Sequence, residues 1–175
     1  MRTYIILGMG RSGTSFLAKA LKDQGVNIGN NFWGRENPNG GFEDWDFVKL
    51  NRDIITEAGG AWGIGAIPVS EELILSQKDK FKKRIIDIIQ KKKSDKWGWK
   101  DPKTTLTIRL FMPHILEVDD DPFIYACFRR PEKVAYSLFR RSGNEYDKTR
   151  GIKVAKEYNR RLLKFLVDFL GLEEI

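Results

Sequence analysis

The chain has 175 residues, 41% of them hydrophobic and 31% charged, a balance that suits one compact domain with a core of its own. No run approaches the roughly 20 apolar residues a membrane helix needs, and with Cys127 as the single cysteine neither an internal disulfide nor a cysteine metal cluster is possible. The net charge of +7 raises the question of a polyanionic partner, but residues 78–96, KDKFKKRIIDIIQKKKSDK, hold nine Lys or Arg against three Asp and so carry +6 of it.

The N-terminal YIILG follows one positive residue. Its apolar run of about six residues is shorter than the roughly 7–15 of a signal-peptide core, and no small-residue cleavage site follows. It reads as a buried strand over residues 3–8, and a cytoplasmic location is the default. Residues 14–24 read as a helix capped near Ser12 or Thr14, with Gly25 past its end. Residues 29–41, GNNFWGRENPNGG, are dense in Gly, Asn and Pro and read as a loop. Helical spacing then returns through Phe47, Leu50, Ile54 and Ile55. A Gly-rich segment bearing Trp62 leads into a basic helix over about 70–93. There Ile74, Phe81, Ile85, Ile88 and Ile89 recur on one side, leaving a basic outer face that reads first as a solvated surface and second as a docking site for an acidic partner.

KWGWK at 96–100 reads as a strand end entering a loop at Asp101-Pro102. TTLTIRLFMPHILEV reads as a helix interrupted or restarted at Pro113, and PFIYACF at 122–128 as the second clear buried strand. PEKVAYSLFRR reads as a helix with Pro131 at its first position, and residues 152–171 as a last amphipathic helix ending at Gly171. Strands alternating with helices predict an α/β fold around a parallel sheet, in a single domain 1–175 without repeat or linker.

Three stretches carry chemistry. GMGRSGTS, residues 8–15, has the glycine spacing of a phosphate-binding loop, G-x-x-x-x-G-K-[ST], with Thr14 in the lysine's place. Its position between a strand and a helix points backbone N–H groups and the positive helix end at an anion. Arg11 supplies a positive charge from a different position. In WGWKDPKT, Lys100 at a strand end presents a point charge to a cleft of the kind that forms outside the carboxyl ends of strands; the plainer reading is a surface lysine before an Asx-type turn. In FRRPEKVAYSLFRR, Arg129 ends a strand and Ser137 and Arg141 lie one turn apart on the next helix. An arginine and a hydroxyl that converge make a second anion pocket, although Arg130, Arg140 and Arg141 also fit ordinary exposed charges.

These three stretches, in this order and over residues 4 to about 165, resemble the sulfotransferases that use 3′-phosphoadenosine 5′-phosphosulfate (PAPS), with a partial likeness to the tyrosylprotein sulfotransferases in KDP. The resemblance implies a three-layer fold like that of the P-loop NTPases, with a central parallel sheet flanked by helices. It also implies PAPS as co-substrate, no metal, and transfer of a sulfuryl group to a hydroxyl or amine. Arg11, Ser12, Gly13, Thr14 and Ser15 then cradle the 5′-phosphosulfate; Arg129 and Ser137, eight residues apart, hold the 3′-phosphate with Arg141 nearby; Lys100 lies near the sulfonate. Many members continue past the last helix with a segment that covers the nucleotide. The sequence has none after LGLEEI, so the expectation is a minimal or C-terminally truncated member.

Transfer needs a general base within hydrogen-bond reach of the acceptor. His114, remote from all three stretches, reads as structural. In other branches of the family a glutamate after the first helix serves, which selects Glu43, with Glu36 and Asp44 behind it. The plainer reading of Glu43 is an acid favoured at a helix N-terminus. Asp101 is a lesser candidate that orients Lys100. The rivals are a P-loop nucleotide or small-molecule kinase, against which Thr14 counts, and a non-catalytic nucleotide-binding or nucleic-acid-binding protein built on the basic helix. The expected partner is a small-molecule or carbohydrate acceptor rather than nucleic acid or a membrane. Trp33, Phe42, Trp45 and Trp62 fit either stacking on that acceptor or core packing.

Overall fold

The computed structural model describes residues 1–29, 32–33, 41–63, 65–142 and 146–172. Strand β1 (Arg2–Leu7) has apolar side chains on both faces because both faces are covered. Ile6 packs with Ala18, Leu21, Val26 and Ile28 on one side, while Ile5 and Leu7 enter the larger core on the other. The remaining elements, in chain order, are α1 (Thr14–Asp23), β2 (Phe32–Trp33), β3 (Glu43–Asp44), α2 (Trp45–Glu57), α3 (Glu71–Leu75), α4 (Lys78–Lys92), β4 (Lys96–Lys100), α5 (Thr104–Leu116), β5 (Phe123–Ala126), α6 (Pro131–Arg141) and α7 (Lys148–Leu170). The result is a mixed α/β fold with a three-stranded parallel sheet in the order β4–β1–β5, flanked by helices. No described helix is long and apolar enough to cross a membrane.

The larger core is built on aromatic stacking. Phe47 of α2 lies flat on Trp99 of β4, ring centroids 4.5 Å apart, and both touch Phe111 of α5. Truncating Phe47 to alanine removes this joint and costs roughly 3–5 kcal/mol.

Several sequence expectations are corrected. The cap of α1 falls between Ser12 and Thr14, at Gly13, in the left-handed region and with no side-chain hydrogen bond from either neighbour. Part of the expected loop 29–41 is strand, since Phe32–Trp33 pairs antiparallel with Glu43–Asp44. The basic helix is two helices, because the Ser76 hydroxyl donates to the Leu73 carbonyl at 2.9 Å and competes with helix continuation at the junction. Pro113 does not interrupt α5, whose flanking Leu110, Phe111, Met112 and Ile115 are anchored in the core. The 122–128 strand is shorter than expected and forms an edge of the sheet, with Phe123 45% exposed. A short apolar run does not distinguish an edge strand from a central one. Finally, α7 starts at Lys148, where the Asp147 carboxylate accepts from the Thr149 N–H at 2.8 Å and caps it.

Register determines where the chemistry lies. Ile6 pairs with Lys100 and Leu7 with Ala126, so the segments leaving β1, β4 and β5 emerge together at the carboxyl edge of the sheet.

Candidate functional site

The loop that leaves β1 turns sharply. Gly8 has φ 139°, and a Cβ there would stand 2.5 Å from the Cys127 carbonyl oxygen, so only glycine lets β1 and β5 end this close together. The Gly8 N–H donates to Thr105 Oγ1 at 2.8 Å, which ties the loop to the start of α5. Arg11 sits in the left-handed region at φ 74°, a conformation that costs a non-glycine residue roughly 1–3 kcal/mol and marks a constrained site. Ser12 Oγ is buried without a hydrogen-bond partner, which leaves a polar group desolvated for nothing within the chain. Ser15 Oγ donates to the Gly41 carbonyl at 3.5 Å.

Arg11 also reaches across the edge. Its Nε donates to Ser137 Oγ of α6 at 2.9 Å, and its carbonyl accepts from Arg129 Nη1 at 2.6 Å. Asn159 of α7 in turn donates to the Arg129 carbonyl at 3.1 Å. The two anion pockets expected to be separate are therefore joined through Arg11. Burial lowers the Arg11 pKa, and the like charges of Arg141 and Arg129, which repel its guanidinium, lower it further. Among the described residues, none of the three forms an ion pair with a carboxylate.

The end of β4 supplies the other half. Lys100 is 1% exposed, and its Nζ contacts Glu43 Oε1 at 2.5 Å, the Glu43 side chain being 23% exposed. A buried ammonium demands such a partner. Glu43 is not a helix N-terminal acid: it lies on β3, and the cap of α2 is Asp44, whose Oδ1 accepts from the Asp46 N–H at 3.0 Å. Asp44 is thereby occupied and buried, which removes it as a base. Asp101 does not orient Lys100 by a hydrogen bond. Its oxygens accept from Asn51 Nδ2 at 2.8 Å and from the Lys103 N–H at 3.0 Å. Burial, and secondarily the charge of Glu43, pushes the Asp101 carboxyl up to about 6.

The structure thus brings Arg11, Ser12, Gly13, Thr14, Ser15, Lys100, Glu43, Arg129, Ser137 and Arg141 to one edge of the fold. Glu36 and the Trp33 side chain lie outside the described residues. His114 is in the last turn of α5, beyond which Asp119 accepts from the Thr3 N–H at the opposite, amino end of β1. Phe42 packs on the smaller core, and Trp62 is half-exposed.

Two residues near the edge escape the sequence reading. Asn51 holds together Asp101, Thr104 and Thr107 in a buried network. A polar residue one turn from both Phe47 and Ile54 on an apolar helix face was the available signal. Lys103 is buried; its Nζ donates to the Gly63 carbonyl at 2.6 Å and lies 5.5 Å from the Trp62 ring centre. Burial brings its pKa down to about 8 against the opposing pull of Asp101. A cleft of about 610 Å³ lies elsewhere, along α3, α5 and α7. Its arginines are held by its own carboxylates, Arg109 by Glu71 at 2.6 Å and Arg161 by Glu157 at 2.7 Å.

No family model, curated protein or solved structure matches this chain.

Proposed function

We propose that this chain is a PAPS-dependent sulfotransferase on a three-layer, P-loop-like α/β fold, moving a sulfuryl group to a hydroxyl or amine of a small-molecule or carbohydrate acceptor. The observation that carries the reading is the cluster of Arg11 with the like charges of Arg129 and Arg141, none of them paired with a carboxylate among the described residues, beside a helix N-terminus that no side chain caps. Cationic groups held this way are stabilised by an anion. The buried, partnerless Ser12 hydroxyl fits the same ligand.

A nucleotide with phosphates at both ends suits these residues. Ser12, Gly13, Thr14 and Ser15 would hold the 5′-phosphosulfate, Arg129, Ser137 and Arg141 the 3′-phosphate, and Arg11 would lie between them. PAPS supplies an activated sulfuryl group on a phosphate leaving group. A sulfonate carries less negative charge than a terminal phosphoryl group, so fixed cations balance what develops on it. Lys100 Nζ orients Glu43 and neutralises charge near the reacting centre, and the Glu43 carboxylate takes the acceptor's proton.

Two features disfavour a kinase. Thr14 replaces the phosphate-binding lysine, and the acid at the end of β4, Asp101, has both oxygens engaged by Asn51 and Lys103. A nucleic-acid reading draws on the basic helix, where Lys80, Lys83, Arg84, Lys91 and Lys92 are already in ion pairs.

The test is transfer of label from sulfur-labelled PAPS to a panel of phenols, sugars and amines in the presence of chelator. Label appearing on an acceptor, and lost in Glu43→Gln, supports the reading. Absence of transfer together with magnesium-dependent phosphorylation from ATP overturns it.

A further inference from the structure

The basic stretch that dominates the chain's charge has no part in the proposed chemistry, yet one of its lysines differs from the rest. In α4, Lys80, Lys83, Arg84 and Lys91 form ion pairs while their own side chains stay between 46% and 86% exposed. Lys92, in the last turn, is only 15% exposed, and it faces Asp44, which is 1% exposed. Its Nζ donates to both Asp44 oxygens, at 2.9 and 2.8 Å, and lies 2.9 Å from Asp46 Oδ2.

We infer that Lys92 is a positioning residue for Glu43, so that the end of the basic helix fixes the carboxylate that the proposed transfer uses as its base; this rests on the function proposed above. The connection runs through the backbone. Asp44 immediately follows Glu43 on β3 and caps α2, so gripping its carboxylate fixes the peptide that carries Glu43. A strand of two residues contributes little order by itself. Gly29 closes the other side of Asp44: a Cβ at that position would collide with its carboxylate. Asp44 is thus held between Gly29, the first turn of α2 and the Lys92 ammonium. Across β3, Glu43 meets Lys100, and the buried Lys100 side chain has its carboxylate partner in the right place only while β3 stays put. The ion pairs of Asp44 with Lys92 and of Glu43 with Lys100 are adjacent links of one chain of charges running from α4 to the carboxyl edge of the sheet.

The experiment compares the full chain carrying Lys92→Met or Lys92→Arg with the unaltered protein by three readouts. These are the nitrogen-15 signal of the Lys100 ammonium, the calorimetric affinity for adenosine 3′,5′-bisphosphate, and kcat and KM for sulfuryl transfer. Positioning predicts that Lys92→Met weakens or abolishes the Lys100 signal and lowers kcat roughly 10- to 100-fold. The acceptor KM and the bisphosphate affinity should stay within about twofold, and Lys92→Arg should recover most of kcat. An unchanged Lys100 signal and kcat in Lys92→Met overturns the inference. So does a fall in bisphosphate affinity as large as the fall in kcat, which marks general damage to the fold. Should Lys92→Met not fold, Lys92→Gln, which keeps a donor toward Asp44 without the charge, takes its place. If the unaltered protein transfers no sulfuryl group, the proposed reaction fails, while the Lys100 signal still decides whether Lys92 places Glu43.

Discussion

The chain has two conspicuously cationic regions that behave in opposite ways. Along α4 the lysines and arginines are numerous, and those facing α2 meet acids: Lys80 finds Glu57, Arg84 finds Asp53 at 2.7 Å, Lys91 finds Asp46 at 3.0 Å and Lys92 finds Asp44. At the carboxyl edge Lys100 has Glu43, but Arg11 lies close to the like charges of Arg129 and Arg141, and its described hydrogen bonds go to Ser137 and, through its own carbonyl, to Arg129. Where α4 faces α2, the counterions come from the chain itself and fasten one helix to another. The second region leaves Arg11 repelled by two like charges with no carboxylate partner among the described residues, the arrangement from which an anion ligand is proposed. The number of charges in a segment says little about ligands; whether the fold supplies their counterions says much.

The comparison breaks most visibly at the residue that joins the edge to the reaction. Glu43→Gln keeps the shape of β3 but cannot accept a proton, and transfer should fall on the order of 10²- to 10⁴-fold with bisphosphate binding retained, as single-turnover rates would reveal. Equal turnover by the variant would remove Glu43 from the chemistry.

Asp101 offers the next effect, in stability. Its folded pKa of about 6 lies above its unfolded value, so the folded state binds the proton more tightly, and this group's contribution to stability is lost as pH rises from about 4 to 6. The amount is roughly 3 kcal/mol. Denaturant unfolding between those pH values should show that slope, and Asp101→Asn should flatten it. Lys103 works in the reverse direction. Its folded pKa of about 8 lies below the unfolded one, so its burden on stability is present below pH 8 and is relieved as pH rises toward the ordinary lysine value.

Arg129→Ala removes a guanidinium from the edge and the donor that holds the Arg11 carbonyl. Affinity for adenosine 3′,5′-bisphosphate should fall by about 1.5–3 kcal/mol, with a smaller loss for AMP, which lacks the second phosphate. The smallest effect belongs to α4. Arg84→Ala breaks a partly exposed pair and should cost no more than about 1 kcal/mol, less in high salt, while leaving bisphosphate affinity unchanged. A large affinity loss in Arg84→Ala would erase the distinction between the two regions.

Much of this was legible in the sequence because local rules were enough. Glycine spacing between a strand and a helix located the loop over Gly8–Ser15, and apolar periodicity located α2 and the basic segment. Other features depend on what packs where. PFIYACF reads as buried, yet β5 lies at the sheet edge, and only strand order decides that. Pro113 is a helix breaker by rule, but the core on both sides of it overrides the rule. At the site, motif order put Arg11 in one anion pocket and Arg129 with Ser137 in another, and nothing in it signalled that Arg11 joins the two. Nor did it signal the partner of Lys100: local sequence suggested its neighbour Asp101, whereas Glu43, distant in sequence, holds it. Pairings of charges across long stretches of chain leave no periodic trace, which is also why Lys92 is indistinguishable from the lysines beside it until α4 is seen against α2.

The measurement that bears most directly on the central claim is calorimetric titration of the protein with adenosine 3′,5′-bisphosphate, AMP, and ATP with magnesium. The uncompensated arginine cluster predicts strong preference for the bisphosphate without metal, lost in Arg129→Ala and weakened by Arg11→Ala. Preference for ATP with magnesium, or failure to bind any of the three, would contradict the account.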